Sequence, residues 1–174
     1  MQFYDLADFR DYTKWTVLSN DTVNLAQYAY GLSGAGAIEF DKYNGTNDKT
    51  YAGVYRSDLA HDFTGGVLSQ FCSEDRLVVS FYVGALTDIA SLTVELGTSA
   101  SHLHYWTIAD TGMTASTWQS LSVKLGARGI TGNGMTPGSV PYMAVKVNFD
   151  AQDKALEDIR IDRVYLVKNT PTVS

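Results

Sequence analysis

The chain has 174 residues, enough for one domain with a sizeable core and too few for two comfortable ones. Hydrophobic residues make up 45% of it, which argues against a disordered chain. A formal net charge of −6 argues against a nucleic-acid groove, which needs clustered Lys and Arg to displace counterions.

The chain opens Met-Gln-Phe-Tyr-Asp, with no basic n-region and no apolar h-region, so no secretion signal is expected. Asp5 to Tyr12 reads as one or two helical turns. Ser57 to Asp62 and Asp153 to Glu157 are similar short helical candidates. Strands are expected at Trp15 to Leu18, Val23 to Tyr30, Ala37 to Lys42 and Tyr51 to Arg56. They continue at Leu77 to Val83, Ser91 to Gly97 and His104 to Ala109. Three more close the chain, at Trp118 to Leu125, Tyr142 to Asp150 and Ile159 to Val167. The first two of these alternate cleanly at period two, which sets one row of side chains on a buried face and the other in water. Turn residues lie between the strands, at Ser19-Asn20-Asp21, Gly34-Ala35-Gly36, Tyr43-Asn44-Gly45, Gly65-Gly66 and Pro137-Gly138. About ten short strands at this spacing define an all-β, antiparallel β-sandwich or barrel. Gly126 to Pro141 is long for a structureless connection and is the best candidate for a functional or partner-ordered loop. No apolar run approaches the roughly 20 residues of a membrane span, and no basic amphipathic stretch implies a membrane surface.

Chemistry-bearing motifs are few. Cys72 is the one cysteine, which rules out an intrachain disulfide and a multi-cysteine zinc site, and it reads as a small buried filler. His102 and His104 share a parity without a third ligand and read as solvated edge histidines. Gly129 to Gly134 is glycine-rich but lacks the Lys-Ser/Thr of a phosphate loop. Glu74-Asp75 and Glu157-Asp158 are adjacent pairs whose side chains diverge on an extended chain, so neither pair alone can flank a glycosidic bond. No Gly-x-Ser-x-Gly elbow is present, and an enzyme is not expected.

Two sets of residues remain. The 11 tyrosines include Tyr28 and Tyr30 on one parity of their strand, Tyr82 opposite the Leu77, Val79 and Phe81 face, and Tyr105 opposite His104, Trp106 and Ile108. Together these four are the candidate ligand platform, while Trp15, Trp106 and Trp118 read as core or core-edge anchors. Tyrosine is also an ordinary strand and protein-interface residue. The second set centres on Asp162, which strict alternation puts on one face with Val164 and Leu166, with Ile161, Arg163 and Tyr165 opposite. A carboxylate on an apolar face needs hydrogen bonds, a cation or a metal. Capping of backbone amides or pairing with an Arg is the reading to prefer.

The run Leu77-Val78-Val79-Ser80-Phe81-Tyr82-Val83, the segment Leu92 to Gly97, Trp106, Thr117-Trp118-Gln119 and Ile161 to Leu166 resemble the galactose-binding-like jelly rolls. Gly34 to Asp41 resembles the early glycine-then-strand segment of that group. The group includes carbohydrate-binding modules and domains of bacteriophage virion proteins. The resemblance implies a single jelly roll over residues 1–174, with short arms at 1–12 and 168–174. It also offers a structural calcium on Asp162 with Glu39 and Asp5 or Asp8; otherwise no cofactor is expected. The leading expectation is a non-enzymatic virion protein, made in a host cytoplasm, that decorates the outer head surface by docking on major capsid or other virion proteins. A homo-oligomer is compatible with that role. The alternative is a carbohydrate-binding module that recognises host glycans through exposed Tyr and Trp.

Overall fold

A computed structural model describes residues 2–45 and 49–169. Twelve strands form two six-stranded antiparallel sheets. In chain order they are β1 (Phe3–Asp8), β2 (Thr16–Val17), β3 (Thr22–Tyr28), β4 (Ala37–Lys42), β5 (Tyr51–Arg56) and β6 (Arg76–Tyr82). The remainder are β7 (Ile89–Ser99), β8 (His102–Ala109), β9 (Gln119–Lys124), β10 (Gly129–Thr131), β11 (Tyr142–Phe149) and β12 (Leu156–Val167). The first sheet runs β3-β4-β12-β6-β9, with β1 also on β12; the second runs β10-β8-β7-β11-β5-β2.

Alternation builds the core. Ile38 and Phe40, Leu77, Val79 and Phe81, and Ile159, Ile161, Val164 and Leu166 point inward from the first sheet. Leu92, Val94 and Leu96 on β7 and Met143, Val145 and Val147 on β11 meet them from the second. Two rows of apolar side chains interdigitating between stacked sheets are what hold a sandwich together.

All ten expected strands are present, and two more were not anticipated. The segment expected to turn as a helix or hang as an arm forms β1, where Tyr4 to Asp8 pair with Leu166 to Arg163 and Leu6 is buried. Helical structure near the start is one 3-10 turn at Tyr12–Lys14, capped by Asp11. At the other end, Lys168 N–H donates to the Gln2 carbonyl and Asn169 N–H to Asp75, so these two residues are tied down. The rest of the second expected arm, residues 170–174, lies outside the described residues. The Gly126 to Pro141 loop is not structureless, since β10 within it pairs with β8 through Ile130 and His104. Cys72 is exposed rather than buried: its N–H donates to the Asp75 carboxylate in a tight turn that holds the thiol at the surface.

The register of β12 corrects the face that strict alternation gives Asp162. Between Ile161, opposite Phe81, and Arg163, opposite Ser80, the ladder skips a residue, and Asp162 is the bulge. An extra residue reverses parity, so Ile161 faces the core together with Val164 and Leu166, while Arg160, Arg163 and Tyr165 face outward. Beside the bulge, β12 changes partner along one edge, from β4 (Leu156 to Ile161) to β1 (Arg163 to Val167). Asp162 sits where those two strands leave a gap.

Candidate functional site

The sandwich separates the four candidate tyrosines. Tyr28, Tyr30 and Tyr82 belong to the first sheet or its continuation, and Tyr105 lies on β8 of the second. They therefore do not form one platform. Parity places Tyr28, Tyr82 and Tyr105 on outer faces, while Tyr30 lies beyond the end of β3, and parity carries no information on which sheet a strand joins.

On the outer face of the first sheet, Arg160 lies opposite both Glu39 and Tyr82. Its guanidinium carbon is 3.9 Å from the Tyr28 ring centre and 4.7 Å from that of Tyr82. Its Nε donates to Glu39 at 2.5 Å. Trp118, which is half-buried, extends the row at 5.8 Å from Tyr82. Tyr30 meets Tyr28 edge-on at 6.1 Å and is 76% exposed. Facing ring surfaces of Tyr28 and Tyr82 are thus occupied by the chain's own cation, an arrangement that stabilises the sheet. Burial works against the Arg160 charge, but the Glu39 carboxylate more than offsets it and raises the guanidinium pKa further.

Of the calcium ligands that the resemblance offers, Asp5, Asp8 and Asp162 line one cavity with Arg10 and Arg163, and Glu39 is not among its lining. Asp162 Oδ2 accepts the Ser33 N–H at 2.5 Å and Oδ1 accepts the Ser33 hydroxyl at 2.9 Å. Glu39 is held by Arg160, Asp5 by Arg163, and Asp8 accepts the Arg10 N–H at 2.8 Å. Among the described residues no three His, Cys, Asp or Glu side chains are grouped to hold a metal. The bulge turns Asp162 toward the loop after β3, where Gly31 packs so closely that a Cβ would come within 2.8 Å of its carboxylate. Asp162 thus caps the loop that closes the gap between β1 and β4. Asp162→Ala should cost about 1–3 kcal/mol in urea denaturation, because two part-buried hydrogen bonds from Ser33 to a charged acceptor are lost. EDTA should leave the wild-type midpoint unchanged, and a large chelator effect would restore the metal reading.

The outer face of the second sheet is different in kind. Cross-strand register sets Tyr55, Ala144, Glu95 and Tyr105 in one row across β5, β11, β7 and β8. The next row is Gly53, Lys146, Thr93 and Thr107, and beyond it lie Tyr51, Asn148, Ser91 and Ala109. Lys146 Nζ contacts Glu95 Oε1 at 2.5 Å and lies 4.9 Å from the Tyr51 ring centre. Asn148 donates to Ser91 and Thr93 hydroxyls, each at 2.9 Å, and the Thr93 and Thr107 hydroxyls are 3.2 Å apart.

Several of these outward residues are nevertheless shielded from water. Thr93 and Glu95 are each 8% exposed. Leu103, Tyr142 and Ala144 form a small second hydrophobic cluster with Leu18 and Tyr55, apart from the main core. The Tyr55 and Tyr142 rings stack at 5.9 Å. Burial, and then the nearby Glu95 charge, push the Tyr142 phenol well above its ordinary range, so it stays protonated and points its hydroxyl at Glu95 Oε2, 3.5 Å away. Tyr105 is positioned by a glycine: its ring crosses Gly129 on β10, where any Cβ would lie 2.1 Å from a ring carbon. The result is a face with a carboxylate, an ammonium, an amide and three hydroxyls, framed by Tyr51, Tyr55, Tyr105 and Tyr142.

Of this face, the sequence reading found Tyr105 alone. Tyr142-x-Ala144-x-Lys146-x-Asn148 and Ser91-x-Thr93-x-Glu95 do carry the signal of an outward row. Their adjacency depends on the strand order β8-β7-β11-β5, which no local pattern encodes.

No protein-family model and no curated protein matches the chain. Solved structures do match in fold. A family 11 carbohydrate-binding module from Clostridium thermocellum, in complex with a β-1,3-1,4-mixed-linked tetrasaccharide, superposes with a TM-score of 0.59 at 12% identity, covering 95% of each chain. A carbohydrate-binding module of the β-sandwich superfamily with promiscuous specificity gives 0.57 at 9% identity, over 89% of this chain and 57% of that one. TmCBM27, a module with specific mannan recognition, gives 0.50 at 13% identity, over 98% and 97%. The fold is therefore the β-sandwich jelly roll seen in carbohydrate-binding modules. At these identities the likeness establishes the fold alone.

Proposed function

We propose that the chain is a non-catalytic carbohydrate-binding module whose ligand lies on the outer face of the second sheet. The observation that carries this is the polar cluster Glu95–Lys146–Asn148–Thr93 between tyrosine rings, with Glu95 and Thr93 shielded from water. Sugars offer hydroxyls that both donate and accept, and C–H faces that pack on aromatic rings. A face that presents fixed donors, fixed acceptors and rigid rings meets both demands with little side-chain ordering on binding. Structural likeness to carbohydrate-binding modules supports the same reading. Glu95 contacts Lys146 and Tyr142 rather than a second carboxylate, which supports binding over hydrolysis. The virion-docking expectation gains no support from these likenesses, although a glycan-binding virion protein would satisfy both.

A glycan array probed with multivalent protein tests the proposal. Tyr105→Ala and Tyr51→Ala should each weaken selective binding roughly 3- to 10-fold, as loss of an aromatic contact does. Tyr28→Ala and Tyr30→Ala, on the opposite sheet, should leave it unchanged. A blank array, or binding lost through Tyr28 or Tyr30 instead, refutes the assignment.

A further inference from the structure

A cavity of about 300 Å³ opens at the rim of the sandwich, away from the outer face just described. Its floor is the core itself, with Leu166 from the first sheet and Leu96 and Trp106 from the second. Phe63 and Phe71 wall one side, and Met135 and Pro137 come from the 126–141 segment that carries β10. The Trp106 indole N–H already donates to the Leu125 carbonyl at 2.9 Å, so the floor asks nothing polar of an occupant. Phe63, Phe71, Leu125 and Met135 are only partly buried against this floor, and an apolar body would complete their packing.

Two basic side chains, His104 and Arg128, lie among the lining residues. His104 is half-buried, and burial, with the Arg128 charge second, holds its imidazole below the ordinary pKa, so it is neutral at pH 7. Arg128 therefore carries the positive charge. Among the described residues it makes no ion pair, and no carboxylate lines the cavity. An apolar interior with an unpaired guanidinium matches an amphipathic anion.

We infer that this cavity is a second ligand site, which takes a small apolar carboxylate with its chain against Phe63, Phe71 and Met135 and its head on Arg128. The carboxylate receives a charge-assisted hydrogen bond there, the strongest class available to it. Occupancy would also cover Cys72, another lining residue and the only cysteine in the chain.

That cysteine supplies the readout. Full-length protein is alkylated with iodoacetamide in the presence of decanoate, decanol or decylammonium, each below its aggregation threshold. Decanoate should slow Cys72 alkylation saturably, decanol less strongly, and decylammonium not at all. Arg128→Gln should weaken protection by decanoate about tenfold while leaving decanol unaffected. Met135→Trp, which fills the cavity from a loop position, should abolish protection by both. Absence of saturable protection in the wild type overturns the site. Equal protection by decanoate in Arg128→Gln, or by decylammonium in the wild type, overturns the role of Arg128. Glycan-array binding is read on the same preparations, so that failure on one face is distinguishable from failure on the other.

Discussion

Asp21→Ala should lose about 3–5 kcal/mol of stability, the cost of leaving a buried charge without its partner. Lys42 follows Ile38 and Phe40 on the inward parity of β4, so its ammonium is driven into the protein rather than out of it. There Nζ contacts Asp21 Oδ2 at 3.3 Å and donates to the carbonyls of Tyr43 and Gln152 at 2.7 and 3.0 Å. Both side chains of the pair are 0% exposed. Asp21 Oδ2 also accepts the Lys49 N–H at 3.3 Å, while Oδ1 has no partner among the described residues. That half-satisfied carboxylate makes the net contribution of the pair small even though breaking it is costly. The double variant Asp21→Ala/Lys42→Met should accordingly recover much of the loss, because an apolar replacement removes both charges together. Urea denaturation of the two singles and the double closes a mutant cycle. A single Asp21→Ala variant within about 1 kcal/mol of wild type would show that Lys42 finds water or another acceptor.

This pair also marks where local pattern stops informing. Alternation located ten strands, among them Ala37–Lys42 and Tyr51–Arg56 to the residue, because burial on one face imposes period two directly. β1 escaped because its pairing with β12 spans almost the whole chain, and Leu6-Ala7 is too short an apolar stretch to alternate. β10 escaped because three residues, Gly129-Ile130-Thr131, read as strand only when β8 lies beside them. One bulge reversed the expected faces at Ile161 and turned Asp162 toward the loop that it caps. Lys42 looked like an ordinary strand end, since nothing near it in sequence announces Asp21 or Gln152. The strand misses are long-range pairings, whereas the Cys72 miss is local, a turn closed by the Asp75 carboxylate.

The candidate site illustrates the same division, and Glu95→Gln tests it most sharply. The substitution preserves shape and removes charge at the centre of the second sheet's outer face. Hydrogen bonds to a charged acceptor contribute about 1.5–3 kcal/mol, so glycan affinity should fall about 10- to 100-fold. Stability should change much less, because the Lys146 side chain is 23% exposed and can hydrate its ammonium once the ion pair is weakened. Arg160→Ala on the first sheet should do the reverse. It leaves Glu39 without its guanidinium and separates Tyr28 from Tyr82, so the urea midpoint drops while glycan binding holds. Two chemically similar faces, each with a cation, a carboxylate and tyrosines, are thereby told apart by which property each one controls. If Glu95→Gln lowers stability and spares binding, the second sheet's polar row is structural and the ligand must lie elsewhere on the jelly roll.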